Sequence, residues 1–166
     1  MSEPRWLSDQ ERRAWLALIF TFATLPHEFD VPLQRAAQLT MFDYNVLAML
    51  SEQRERTLPM SELASRTNAS LSRLSHVVQK LERRGLVRRD AHFEDGRVTT
   101  ARITDEGVAL VVRLAPEHVE NVRSLVFDQL EPEEVQQLDR ITRKLLRRLN
   151  PDQWIFQQDA VDFKEK

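Results

Sequence analysis

The 166-residue chain is 42% apolar and 30% charged with only 3 glycines, a balance that suits one helix-rich domain, or a small domain plus an oligomerisation element, and not a disordered tail or a short-stranded sandwich. It has no cysteine, which excludes a disulfide framework, a thiolate zinc site and a cysteine redox switch. The net charge of −2 conceals an asymmetry: residues 60–104 carry 9 Lys+Arg against 5 Asp+Glu, a local +4 that leaves −6 for the flanks, so a basic middle can hold a polyanion while acidic flanks keep the chain soluble.

The opening Met1-Ser2-Glu3-Pro4-Arg5 lacks the basic-then-apolar layout of a signal peptide, so the expected location is the cytoplasm. The longest uncharged stretch, Ala14 to Leu25, falls short of the roughly 20 apolar residues a spanning helix needs. A first helix is predicted from Ser8, its cap, with Glu11 completing a capping box. Trp15, Leu16, Leu18, Ile19, Phe20, Phe22 and Leu25 make it apolar on too many sides for a solvent-facing helix. Pro26 and Pro32 are expected to break or kink the chain beyond Leu25. A second helix spans Thr40 to about Gln53 with Phe42, Val46, Leu47 and Leu50 as its buried stripe, and Glu52 to Thr57 reads as a polar connection.

Next comes a short helix from Ser61 to Arg66, with Ser61 as its expected cap, then a turn at Thr67-Asn68-Ala69. A longer helix runs from Leu71 to Arg84, with Ser70 as cap and Gly85 as a left-handed stop. From Leu86 the period changes. Leu86-Val87-Arg88-Arg89 and Val98 to Ile103 are short and rich in β-branched residues, with Glu94-Asp95-Gly96-Arg97 between them as a turn, which is the pattern of a hairpin. Thr104 caps a helix expected to reach about Leu130 with a bend at Pro116. The last helix starts at Glu131-Pro132 and stops at Asn150-Pro151. Trp154, Ile155, Phe156 and Phe163 in the tail favour docking over free solvation.

The chemistry concentrates on the helix from Leu71 to Arg84. At about 100° per residue, Leu71, Leu74, Val77, Val78 and Leu81 fall on one side, and Ser72, His76, Gln79 and Arg83 on the other, flanked by Arg73, Ser75 and Lys80. Small hydroxyls, an amide, an imidazole and cations can bond base edges and phosphates, and the small ones permit close approach. Glu82 is the single acid there, whereas a solvated face usually mixes Glu with Lys. A short helix, a tight turn and a second helix with a readable face form a helix-turn-helix, and the hairpin after it adds a wing. Arg97 at the wing tip can reach a minor groove, and Asp95 can pair with a neighbouring arginine or orient Arg97, although Asp95-Gly96 also suits a plain hairpin turn.

The run from Asp95 through Gly107, together with Met60-Ser61-Glu62-Leu63-Ala64 and Leu81-Glu82-Arg83-Arg84-Gly85-Leu86-Val87, resembles the multiple antibiotic resistance regulator (MarR) family. Phe127-Asp128-Gln129-Leu130 through Leu149 is similar to that family's closing helices. The resemblance implies a mainly α fold with a small β-hairpin wing: a winged helix-turn-helix lobe over 40–107, dimerisation helices over 6–39 and 108–149, and a tail over 150–166. It further implies a homodimer on a pseudo-palindromic operator in double-stranded DNA. The second helix would read the major groove through Ser70, Ser72, Arg73, Ser75, His76 and Gln79, joined by Ser61, while Arg97 supported by Asp95 enters the minor groove. Many members of the family are repressors released by aromatic or phenolic small molecules.

Trp15, Phe20, Phe22, Phe42 and Tyr44 are candidates to line such an effector pocket, although aromatics at helical spacing more often serve as core. Glu117-His118-x-Glu120 has the residue types of a metal site, yet lone helical histidines rarely ligate, so no metal or cofactor is expected. No nucleophile, base and orienting group stand at recognisable spacing, which argues against an enzyme. The rival reading is a winged-helix module that docks an acidic protein through its basic face; the hydroxyl-rich, close-approach helix face weighs against it.

Overall fold

The computed structural model describes residues 4–91 and 98–156. The chain divides after Met41 into two units.

The first unit is a single long helix, α1 (Asp9–Ala37). Ser8 starts it as expected: its backbone N–H donates to Glu11 Oε2 at 2.8 Å, and Glu11 N donates to Ser8 Oγ at 3.3 Å. Neither proline breaks it, contrary to expectation, since both Pro26 and Pro32 lie inside the helix. Each proline forfeits a single i→i−4 bond, and once a helix is nucleated the turns on either side propagate through that gap. The helix stops at Gln38, which adopts a left-handed φ of 53° while its N–H donates to Gln34 O at 2.9 Å. Within the same unit, Asp30 accepts from Met41 N at 2.6 Å.

The second unit holds α2 (Met41–Ser51) from Phe42 onward, β1 (Thr57–Pro59), α3 (Met60–Arg66), α4 (Leu71–Arg83), β2 (Val87–Ala91), β3 (Thr99–Ile103), α5 (Asp105–Leu125) and α6 (Pro132–Leu149). The strands form one antiparallel sheet in the order β1-β3-β2. Its register pairs Val87 with Ile103, Arg88 with Arg102 and Leu58 with Ala101. The sequence reading missed β1. Thr57-Leu58-Pro59 is too short for alternation to register, and only the partner strand β3 makes it a strand.

Val46, Leu47 and Leu50 of α2, Leu63 of α3, and Leu74, Val78 and Leu81 of α4 form the center of the core with Leu58, Val87, Ala101 and Ile103 of the sheet. Full burial of such a side chain contributes about 1.5–3 kcal/mol. Three expected core positions differ. Leu71, in the first turn of α4, is 55% exposed, and Phe42 and Val77 are half-buried. Ser61 is not a cap either: α3 begins one residue earlier behind Pro59, and Ser61 lies exposed in its first turn. The stop of α4 is as expected, with Gly85 at φ +71° and Leu86 N donating to Leu81 O at 3.0 Å.

The helix α5 passes through Pro116 and ends at Leu125, short of the expected Leu130, because Phe127–Gln129 tightens into a 3-10 turn. Pro132 opens α6 in its first turn, as expected, and Glu131 N donates to Glu134 Oε2 at 2.9 Å. Among the described residues, no helix is long and apolar enough to cross a membrane.

Candidate nucleic-acid interface

The turn between α3 and α4 is built by local bonds. Thr67 Oγ1 donates to Leu63 O at 2.7 Å, Ala69 N donates to Ala64 O at 2.9 Å, and Asn68 takes the left-handed φ of 51° that reverses the chain. Ser70 then caps α4 by accepting from Arg73 N at 3.2 Å. With Leu74, Val78 and Leu81 turned inward, Ser72, Arg73, His76 and Gln79 are exposed along the opposite side, Ser75 is half-buried beside them, Ser70 is exposed at the start of the helix, and Ser61 is exposed on α3. The positions predicted from helical periodicity are therefore brought together on one outward face. Asp95 and Arg97 lie outside the described residues, between the end of β2 at Ala91 and the start of β3 at Thr99.

Three contacts that sequence reasoning missed set the electrostatics of this face. The Arg73 guanidinium sits 4.2 Å from the centroid of the Phe42 ring, and Lys80 Nζ meets Asp43 Oδ2 at 2.6 Å. The Asp43 side chain is only 2% exposed, so this ion pair ties α4 to α2 from the inside. A carboxylate inside an apolar stripe was the available signal, because a buried charge requires a partner. Third, Glu82 leaves the exposed face to bind Arg89 of β2, through Arg89 Nη2 at 2.7 Å, Nε at 3.0 Å and the backbone N–H at 3.1 Å. These bonds, the side-chain ones foremost, hold the Glu82 carboxyl below its ordinary pKa. The one acid of α4 is thus neutralised, and the face presents hydroxyls, imidazole, amide and cations.

The effector candidates part company. Phe42 lies beneath Arg73, whereas Tyr44 is buried with its ring centroid 4.5 Å from that of His118 on α5. Burial, and then the charge of Glu52, pushes the Tyr44 pKa up; burial pushes that of His118 down. In the first unit Trp15 and Phe20 are 51% and 66% exposed. Among the described residues, no group of three or more His, Asp or Glu side chains converges as a metal cage.

The tail docks through Trp154, as expected. Its indole N–H donates to the carbonyl of Arg66, the last residue of α3, at 3.0 Å, and the Arg66 guanidinium lies 5.9 Å from the ring centroid. Residues from Gln157 onward, Phe163 among them, lie outside the described residues.

Residues 39–99, which contain this helix-turn-helix, match the model of the MarR family. Sco3205, a MarR family transcriptional regulator from Streptomyces coelicolor solved in complex with DNA, is 40% identical, with a TM-score of 0.87 over 92% of this chain and 95% of that one. The chain belongs to the MarR family. AbsC, a second MarR family transcriptional regulator from Streptomyces coelicolor, is 36% identical with a TM-score of 0.85, over 90% of this chain and 100% of that one. The transcriptional repressor MprA of Escherichia coli K12 is 31% identical over 119 residues, 71% of this chain. The match spans 64% of the length of MprA, and likewise 64% of the repressor YetL of Bacillus subtilis. The mainly helical fold with a small antiparallel sheet is that of winged-helix MarR regulators, a family of transcription factors and not of enzymes.

Proposed function

We propose that the protein is a cytoplasmic, homodimeric, sequence-specific DNA-binding regulator, a repressor released by a small aromatic or otherwise lipophilic ligand. The observation that carries the reading is the outward face of α4, where Ser72, Arg73, His76 and Gln79 are exposed and the only acid, Glu82, is held away by Arg89. In this reading α4 enters the major groove of a pseudo-palindromic operator. Ser70, Ser75 and Ser61 contact the flanking backbone, where short hydroxyls donate to phosphate oxygens. The Phe42 and Asp43 contacts hold Arg73 and Lys80 against α2, so the helix meets the duplex with little side-chain entropy left to lose. Asp95 orients Arg97 toward the minor groove. That the 40% identical Sco3205 was solved in complex with DNA supports DNA as the partner.

The lobe over 40–107 carries DNA binding, and the segments 6–39 and 108–149 carry dimerisation. Exposed apolar side chains support the latter: Trp15, Phe20 and Phe22 on α1, Val112 and Val119 on α5, and Leu138, Ile141 and Leu145 on α6. Such surface on a lone chain calls for a partner. Phe42 and Tyr44 on α2, and Trp15 and Phe20 on α1, are the aromatics offered to a ligand.

Recovering genomic fragments bound to the protein identifies the operator, and footprinting is expected to protect two half-sites about one helical turn apart. Arg97→Ala is then expected to weaken operator binding by about 1–3 kcal/mol with the dimer intact. Unchanged affinity of that variant would remove the wing from the reading. A bound partner that survives nuclease digestion of the lysate would instead favour a protein-docking module.

A further inference from the structure

Where β2 and β3 meet the start of α5, a cleft of about 340 Å³ opens, lined by Arg56, Arg88, Arg102, Thr104, Asp105 and Glu106 among others. Arg88 on β2 and Arg102 on β3 are direct register partners, so their side chains leave the same face of the sheet side by side. Like charges directly opposite one another destabilise a sheet. Packing does not require the arrangement, because both residues are exposed and the opposite face of these strands carries the buried Val87, Ala101 and Ile103. A local rule broken without a structural return marks a site of use.

The cations are only partly satisfied. Arg88 Nε donates to Asp90 Oδ2 at 2.9 Å, back along its own strand, and Arg56 Nη1 meets Asp105 Oδ1 at 2.8 Å. Arg102 has no ion-pair partner among the described residues. The cleft lining holds three arginines against two carboxylates, a net positive charge. It also abuts the first turn of α5, a helix of 21 residues, whose leading N–H groups have no intrahelical acceptor and whose dipole favours an anion. The Thr104 hydroxyl is committed, donating to Gly85 O at 2.7 Å and accepting from Gly107 N at 3.1 Å, so it braces the wall.

We propose that Arg88 and Arg102, with Arg56 at the rim, form a docking site for an oxyanion, a phosphate or phosphate-like carboxylate group. Two adjacent guanidinium forks match the paired oxygens of such a group and lose little on desolvation, where lysines would present point charges. Occupancy relieves the repulsion between the two arginines, so the anion binds most tightly where the bare sheet is least comfortable. Two sources offer this chemistry: a free phosphorylated or carboxylated small molecule, and a backbone phosphate of bound DNA.

Two measurements on the full chain separate them. In the first, pyrophosphate is titrated calorimetrically into DNA-free protein at constant ionic strength, for the wild type and for Arg102→Gln and Arg102→Lys. A small-molecule site predicts wild-type binding that weakens about tenfold or more in both variants, the lysine included because it loses the fork. In the second, operator affinity is followed against salt for the same proteins. A backbone-phosphate site predicts that Arg102→Gln lowers the slope of log K against log salt by about one. Thermal unfolding checks the fold, and Arg102→Gln is expected to melt no lower than the wild type because a like-charge pair has been removed. Absence of pyrophosphate binding together with an unchanged salt slope overturns the proposal, and neither result bears on the role of α4.

Discussion

Gly107, in the first turn of α5, has no side chain because none fits. A Cβ there would run into the backbone carbonyl of Leu86 and stand 2.6 Å from Ile103 Cγ1. The same residue donates its N–H to the Thr104 hydroxyl, so the turn that leaves the sheet for α5 is bonded and crowded at one point. Gly107→Ala is expected to lower stability by about 1–3 kcal/mol through overpacking, read as a fall in the urea midpoint at unchanged slope. A midpoint equal to the wild type would mean that the strand end and the helix start yield freely. The sequence marks Gly107 only as the end of a family-like run. That the helix packs against a strand end at this glycine is set by the path of the chain after the hairpin, which no local pattern encodes.

Among the elements, the helix-turn-helix was legible almost throughout. Ser70, the alternation of Leu74, Val78 and Leu81 with polar residues, and Gly85 are local signals, and each acts where its chemistry predicts. What was not legible was how the two helices are held. The α4 face is tied to α2 by Arg73 on Phe42 and Lys80 on Asp43, and α3 is held at its C-terminal carbonyl by Trp154 from beyond α6. That last bond joins residues 88 positions apart, a separation at which sequence carries no pairing signal. Trp154→Phe keeps the ring and deletes the donor. It is expected to cost about 0.5–1.5 kcal/mol and to speed amide exchange at Thr67 and Ala69, whose N–H groups bond back into α3. Exchange at wild-type rates would show that α3 is held without the tail. By contrast α1 runs through two prolines, because a proline's local penalty is decided by the turns around it.

At the scale of the molecule, α6 is the outlier. It contains no buried residue, yet Leu138, Ile141, Leu145 and Leu149 are exposed on it at helical spacing. A helix with such a stripe is stable in water only when the stripe meets another surface, which is the physical basis for the proposed dimer. Leu145→Asp puts a charge on that stripe and is expected to shift sedimentation from two chains toward one, with operator affinity falling as the paired half-sites are lost. If the variant sediments as the wild type does, the dimer is made elsewhere.

Sequence alone determined the order and nature of most elements, the cap of α1, the cap and stop of α4, and the polar composition of the exposed α4 face, because each depends on residues within a few positions of one another. It also carried enough ordered motifs to point to the family. Only the tertiary structure decided that β1 exists, that Asp43 is a buried anchor, that Glu82 is withdrawn by Arg89, and that Arg88 and Arg102 stand abreast. Strand pairing and ion pairing are properties of residues that meet across the fold, and the distance between them is set by the path of the chain and not by the letters at either end.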